Sequence, residues 1–449
     1  MSTKELETLM RPIRIALDNT LEAFLRDAAN VPMQPVPRMR AEADGSTRHW
    51  IDQVLDSRPF VRAAMRQLEA KGQLRIAEML LARELGVDCG ERPTTDNAWS
   101  PQRAIVEVFL EDYLREAVST PDESPFDDSS DIAFREQVDR LHSLLSADKL
   151  VAQLIVVIGG VAITTDELEV ARDVRIVPFS VQMREQLWRI AGWGSIAPQP
   201  LQSYELSDVS HLIAVELKGS LLRRWEWPEA HEKALRARQA LLLAGASSAR
   251  QGVSWLSHDE LYASYLSRLR VGSGIVAQPL SSTFGPRSKL DAAAASKLPA
   301  LYAALATPPQ SRPLDLALRR LLTSSERANE EDRLIDTWIA FEALFVSDST
   351  TELRFRASLR IARYAGHNRG ERERLFAGLR RAYDWRSRLV HGGDPTTADS
   401  KKKLGALEDA VTLSESTLRA VLAQALLAGS PPQLADIDNS FLADASSSQ

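Results

Sequence analysis

Apolar residues recur at helical spacing near the start of the chain, where Leu6, Leu9, Met10, Ile13, Ala16 and Leu17 share one face. The pattern predicts a helix over residues 1–30, stopped by the Pro32, Pro35 and Pro37 cluster, with a linker running on to about Thr47. Pro59 to Leu85 reads as a helical pair broken near Gly72 and closed by Gly86, and Pro101 to Val118 as another helix. Thr120 to Asp131 is acidic, holds two prolines and has few apolar residues, the composition of an exposed linker. Residues 1–131 therefore form a mostly helical N-terminal region.

From Leu150 the period changes. Leu154 to Ile158 and Val174 to Val177 are β-branched runs bounded by glycine or proline, as strands require. His211 to Leu217 and Val271 to Ala277 read as further strands, and Pro228 to Ala244 as a helix among them. A mixed α/β domain over residues 132–300, a candidate sensor, is expected, with Ser281 to Ser311 as a connecting segment. After Pro313 the helical period returns and stays. Leu314 to Leu322, Glu330 to Phe345, Glu352 to Ala365, Glu371 to Val390 and Lys402 to Leu427 make five helices, an all-α bundle over residues 308–429. Residues 430–449, polar from Pro431 onward, read as a flexible tail. The expected fold class is multidomain: helical region, mixed α/β domain, all-α bundle.

Composition narrows the function by exclusion. Cys89 is the only cysteine, so no intramolecular disulfide or cysteine-rich zinc cluster can form, and a reducing, cytoplasmic setting is expected. The first residues carry no apolar secretory core. The longest apolar run, Leu150 to Ile163, is broken by Gln153 and by Gly159-Gly160 and falls short of the roughly 20 residues of a bilayer span, so no membrane partner is expected. Gly159-Gly160 lacks the further glycine of a dinucleotide fingerprint and the lysine of a P-loop, so no cofactor is implied. No histidine pair has metal-ligand spacing on one helix, and no Gly-x-Ser-x-Gly elbow occurs.

Charge distribution changes the picture. The chain as a whole carries −6, yet Leu353 to His391 holds eleven arginines, no lysine and three acidic residues. Within this stretch, at about 100° per residue from Leu375, Leu379, Ala382, Tyr383 and Val390 form an apolar stripe, and Arg386 falls inside it. An arginine there needs a partner or an anionic site, because an unpaired buried charge costs several kcal/mol. His391 converges on it only if the helix ends near the histidine, and Gly392-Gly393 supplies an ending. An imidazole that moves protons near neutral pH, beside a guanidinium that grips phosphate, is what metal-free RNA cleavage requires. The nucleophile would be the ribose 2′-hydroxyl, which DNA lacks.

The run Tyr383-Asp384-Trp385-Arg386-Ser387-Arg388-Leu389-Val390-His391-Gly392-Gly393 resembles the signature helix of HEPN domains, an arginine followed by four to six residues and a histidine. The tyrosine before the arginine, the serine after it and the trailing glycines are most similar to the Apea-like branch. Trp338 to Phe345, with Glu342 embedded, is similar to that branch's apolar helix, and Leu359 to Ala362 to its arginine-bearing third helix. The resemblance covers about 120 of 449 residues. It implies a metal-independent endoribonuclease that acts on RNA as a homodimer, often a toxin or antiphage effector, here with a phage-derived or other trigger at the preceding domains. Arg386 and His391 carry over as catalytic residues, with Ser387, Tyr383, Glu342 and Arg360 as supports. Ser387 stands where the wider superfamily commonly has asparagine, aspartate or histidine, so a non-catalytic RNA-binding or dimerisation scaffold is the alternative. The bare spacing is not specific: Arg135/His142, Arg224/His231 and Arg360/His367 also match it.

Overall fold

A computed structural model of the chain describes residues 1–25, 33–41, 47–85, 101–117, 128–147, 150–181, 183, 184, 187, 209–219, 227–258, 288–307, 311–346, 352–395 and 397–446. The expected strand at Val271 to Ala277 and Cys89 lie outside them. The described residues are mostly helical, with one five-stranded antiparallel sheet and two two-stranded pairs.

Five helices, α1 (Thr3–Leu25), α2 (Arg58–Ala70), α3 (Gln73–Leu85), α4 (Pro101–Ala117) and α5 (Asp128–Ser146), build the N-terminal region. The apolar face foreseen on α1 is buried: Leu6, Met10, Ile13 and Leu17 are sealed from solvent. Gly72 turns the α2–α3 pair at φ 71. The expected linker from Pro32 to Thr47 is instead largely a hairpin, β1 (Met33–Ala41) against β2 (Thr47–Leu55), paired from Met33 with Leu55 to Ala41 with Thr47. Prolines at alternate positions share one edge of a strand, so both can turn their missing N–H away from the partner. Helix α5 crosses the expected domain boundary at 131 and packs on α1 and α4.

The sheet has the order β5-β6-β7-β3-β8: β3 (Leu150–Gly159), β5 (Leu168–Ala171), β6 (Val174–Pro178), β7 (His211–Gly219) and β8 (Arg250–His258), all antiparallel. β3, flanked by β7 and β8, is apolar on both faces because both are covered. Leu154, Val156 and Ile158 enter the main core, while Ile155 and Val157 meet Trp255, Phe179 and Leu212 on the other side. A short parallel pair, β4 (Val161–Ile163) with β9 (Ser288–Leu290), sits beside it. Helix α6 (Trp227–Leu243) packs on the main-core face against β3, β6 and β7. The segment expected as a connector holds one turn of helix, α7 (Ala292–Ala295), and α8 (Leu298–Ala306). Buried Leu298 and Leu301 make α8 a structural wedge on α6 rather than a tether.

The bundle comprises α9 (Arg312–Glu326), α10 (Glu330–Phe345), α11 (Leu353–Ala365), α12 (Arg369–Val390), α13 (Ala398–Leu404), α14 (Leu407–Leu427) and α15 (Leu434–Ser446). Capping explains the starts. Asn329 accepts from the Glu331 N–H at 2.9 Å, and Asn368 from the Glu371 N–H at 2.9 Å. The single helix expected from Lys402 to Leu427 is split at Gly405, whose φ of 81 a helix cannot hold. Buried carboxylates lock the packing: Glu415 of α14 takes a two-pronged bond from Arg333 of α10 at 2.9 and 2.6 Å. The expected flexible tail, residues 430–449, is mostly helix. α15 docks on α11, burying Ile437 and placing Asp438 and Ser440 on Arg360 and Arg363. Apolar residues at 434, 437 and 441 are spaced for one helix face, a pattern diluted by the polar residues around it.

Two outcomes test these assignments. Gly160 sits at φ 75, and a Cβ there would lie 2.2 Å from the Ser248 carbonyl oxygen, so Gly160→Ala is expected to cost more than about 2 kcal/mol in urea denaturation. Asp438→Ala strips the carboxylate from a guanidinium, that of Arg360, which is buried against the Phe345 carbonyl at 2.7 Å; a cost of about 1–3 kcal/mol is expected, where a frayed tail would give almost none.

Candidate functional site

The site grows from the end of α12. Gly378, buried near the middle of the helix, lets α14 approach so closely that a Cβ would lie 2.3 Å from Leu413 Cδ2. This pins one side of α12 to the bundle, with Gly378, Leu379, Ala382, Trp385 and Leu389 buried. Trp385 is fully buried whereas Val390 is half exposed, so the buried face is rotated from the stripe drawn through Tyr383 and Val390. Arg386 therefore lies at the edge of the core and not in its middle. The largest side chain of the helix sets the rotation, because it has the most apolar area to hide.

From that edge Arg386 reaches α10. Its Nη2 lies 3.2 Å from Oε2 and 3.1 Å from Oε1 of Glu342, each side chain about a quarter exposed (23% and 24%). Only Nη2 is engaged; Nε is buried without an acceptor among the described residues. Tyr383, one turn earlier, lies beneath the guanidinium with its ring centroid 5.7 Å from Cζ, and stacks edge-on with Trp338 at 5.1 Å. The Trp338 indole N–H also lacks an acceptor among the described residues. Burial pushes the Glu342 carboxyl above the ordinary glutamate range, and Arg386 draws it only part of the way back. Burial likewise raises the Tyr383 phenol, with the Glu342 charge adding to the effect. The cluster is thus rich in donors and holds one carboxylate that is reluctant to charge.

His391 ends the helix. Its backbone N–H donates to the Ser387 carbonyl at 3.2 Å; then Gly392 donates to Leu389 at 3.0 Å and Gly393 to Arg388 at 2.8 Å. With Gly392 at φ 76 this is the paired-bond glycine stop anticipated from the sequence. The imidazole is exposed and makes no hydrogen bond among the described residues. Arg386 and His391 are not bonded to each other: one faces Glu342, the other faces solvent. Ser387 is half-buried, and its carbonyl serves the His391 cap.

Arg360 is not part of this cluster. It is 2% exposed, bonded to both carboxylate oxygens of Asp438 at 2.9 and 2.6 Å, and donates to the Phe345 carbonyl. It locks α10, α11 and α15 together, which also removes the Arg360/His367 spacing from consideration. The sequence offered no means of finding Asp438 as its partner, since the two are 78 residues apart. Among the described residues, no group of three or more His, Cys, Asp or Glu could hold a metal ion, and no helix is long and apolar enough to cross a membrane.

The raised Glu342 carboxyl has a pH signature. Because the folded chain holds this proton at higher pH than the unfolded chain does, the associated stability is present below the ordinary glutamate pKa and lost as pH rises through the folded value. Stability curves of wild type and Glu342→Gln, measured by urea denaturation across that rise, should diverge, with wild type losing ground as pH increases; parallel curves would show that Glu342 titrates normally. The chain matches no known family profile, no curated protein and no solved structure, so the reading of the site stands on these residues.

Proposed function

We propose that the chain is a metal-independent endoribonuclease whose C-terminal bundle cuts RNA. The observation that carries this reading is the end of α12: an exposed, uncommitted imidazole at His391, five residues from a guanidinium with an unsatisfied buried donor. His391 takes the proton from the ribose 2′-hydroxyl, the 2′-oxygen attacks the adjacent phosphorus, and the P–O5′ bond breaks as the 5′-oxygen takes a proton from water. The products are a 2′,3′-cyclic phosphate and a 5′-hydroxyl. Arg386 donates to the phosphate oxygens as charge builds on them, exchanging its bond to Glu342 for the substrate. The HEPN resemblance supports the same chemistry and extends it to a homodimeric effector of antiphage defence or toxicity, held in check by residues 1–300.

A second reading, a non-catalytic RNA-binding or dimerisation scaffold, draws on one observation: Glu342 already occupies Arg386. The two readings differ in what the pair does. Under the first, Arg386→Ala and His391→Ala each lower RNA cleavage by about 10²–10⁴-fold and relieve growth arrest on induced expression, and the exposed His391→Ala does so without changing the thermal transition. Under the second, both variants leave RNA and growth as wild type does, including under phage challenge.

A further inference from the structure

The arginine-rich stretch divides into arginines that are engaged and arginines that are not. Arg354 pairs with Asp384, Arg360 with Asp438, Arg369 with Glu373 and Arg386 with Glu342. Arg363 binds Ser440, Arg372 the Gly366 carbonyl, and Arg380 lies over the Phe376 ring. On α12, Arg374, Arg381 and Arg388 make no ion pair among the described residues, nor does Arg356 on α11. The sevenfold spacing of the three on α12 keeps them on one face, and along the helix it sets them about 10 Å apart over roughly 21 Å. The face is the outer one: Arg374 and Arg381 are exposed and Arg388 half-buried. All three carboxylates of the stretch are engaged elsewhere, Glu373 on Arg369, Asp384 on Arg354 and Glu371 on the His367 N–H. Among the described residues of the helix, nothing neutralises the row.

The row also has a direction. Arg388 folds across the turn that ends α12, so close that a Cβ on Gly393 would lie 2.3 Å from its Cγ. Its last rung therefore sits on the turn that carries His391. We propose that Arg374, Arg381 and Arg388 form a track for the phosphate backbone of single-stranded RNA, laying the strand along α12 and delivering it to the His391 end. The proposal rests on the RNA reading above and deepens it. Regular guanidinium spacing without interleaved free acids fits a linear polyanion, and a row made of phosphate-gripping groups makes the contact independent of sequence.

The test uses the full chain carrying His391→Ala, so that the probe stays intact, and a fluorescein-labelled polyuridine oligonucleotide followed by anisotropy across a salt series. Replacing Arg374, Arg381 and Arg388 together by Gln is expected to weaken binding and to flatten the slope of log affinity against log salt by about 2, at roughly 0.7 for each phosphate neutralised on a single strand. The triple Lys replacement should keep the slope. A control triple, Arg66, Lys71 and Arg75 to Gln, exposed on α2, α3 and the turn between them, should leave it unchanged. The track is overturned if the α12 triple keeps the wild-type slope, if the control flattens it as much, or if the chain binds anionic lipid vesicles and no RNA. Cleavage by the unmutated chain with no effect of the α12 triple would remove the track and leave the nuclease. A flattened slope in the triple with no cleavage by the unmutated chain would do the reverse.

Discussion

A half-buried ion pair between Arg386 and Glu342 sets the character of the C-terminal bundle. Two charges held beside an aromatic wall of Trp338 and Tyr383 lose much of their hydration, and one 3.1–3.2 Å contact does not restore it. The result is a carboxyl pushed upward and a guanidinium with an unsatisfied Nε. A core built only for stability would place well-packed apolar groups here, and burial of such a pair is weak evidence of stabilisation. In the proposed mechanism this arrangement keeps the Arg386 guanidinium at the rim, held by a partner that an incoming phosphate would displace.

The surrounding structure keeps that rim in place. Gly378 brings α12 against α14, Trp385 fixes its rotation, and the glycine stop at Gly392-Gly393 holds His391 in solvent. Behind it, Arg360 fastens α10 and α11 to α15 through Phe345 and Asp438. The helix that bears Glu342 is thus fixed from both ends, by Arg333 to Glu415 near its start and by Arg360 on its last carbonyl. The arginines of one short stretch serve two ends: some are structural bolts, others face solvent.

Much of this is legible in residue order. The helices of the bundle follow from apolar spacing and caps, Glu330 to Phe345 to the residue, and the strands at Leu154 to Ile158, Val174 to Val177 and His211 to Leu217 follow from β-branched runs. The stop after His391 is written in two glycines, and the Glu342–Arg386 pair in two charges set among apolar neighbours. What is not legible depends on distant partners. The β1–β2 hairpin hides behind Pro35 and Pro37, which read locally as breakers but fit an edge. The α15 helix hides in a polar stretch whose docking needs Arg360 and Arg363, and the rotation of α12 hides in Trp385, which only packing can place.

If the bundle cuts RNA through the 2′-hydroxyl with His391 as the proton carrier, the sugar decides the outcome. Purified protein is incubated, with a chelator present, with two oligonucleotides of one sequence, one all-ribose and one carrying 2′-deoxyribose throughout. Cuts are expected in the ribose strand alone, each leaving a 2′,3′-cyclic phosphate, and none with His391→Ala. Equal cutting of both strands, or undiminished cutting by His391→Ala, would contradict this mechanism.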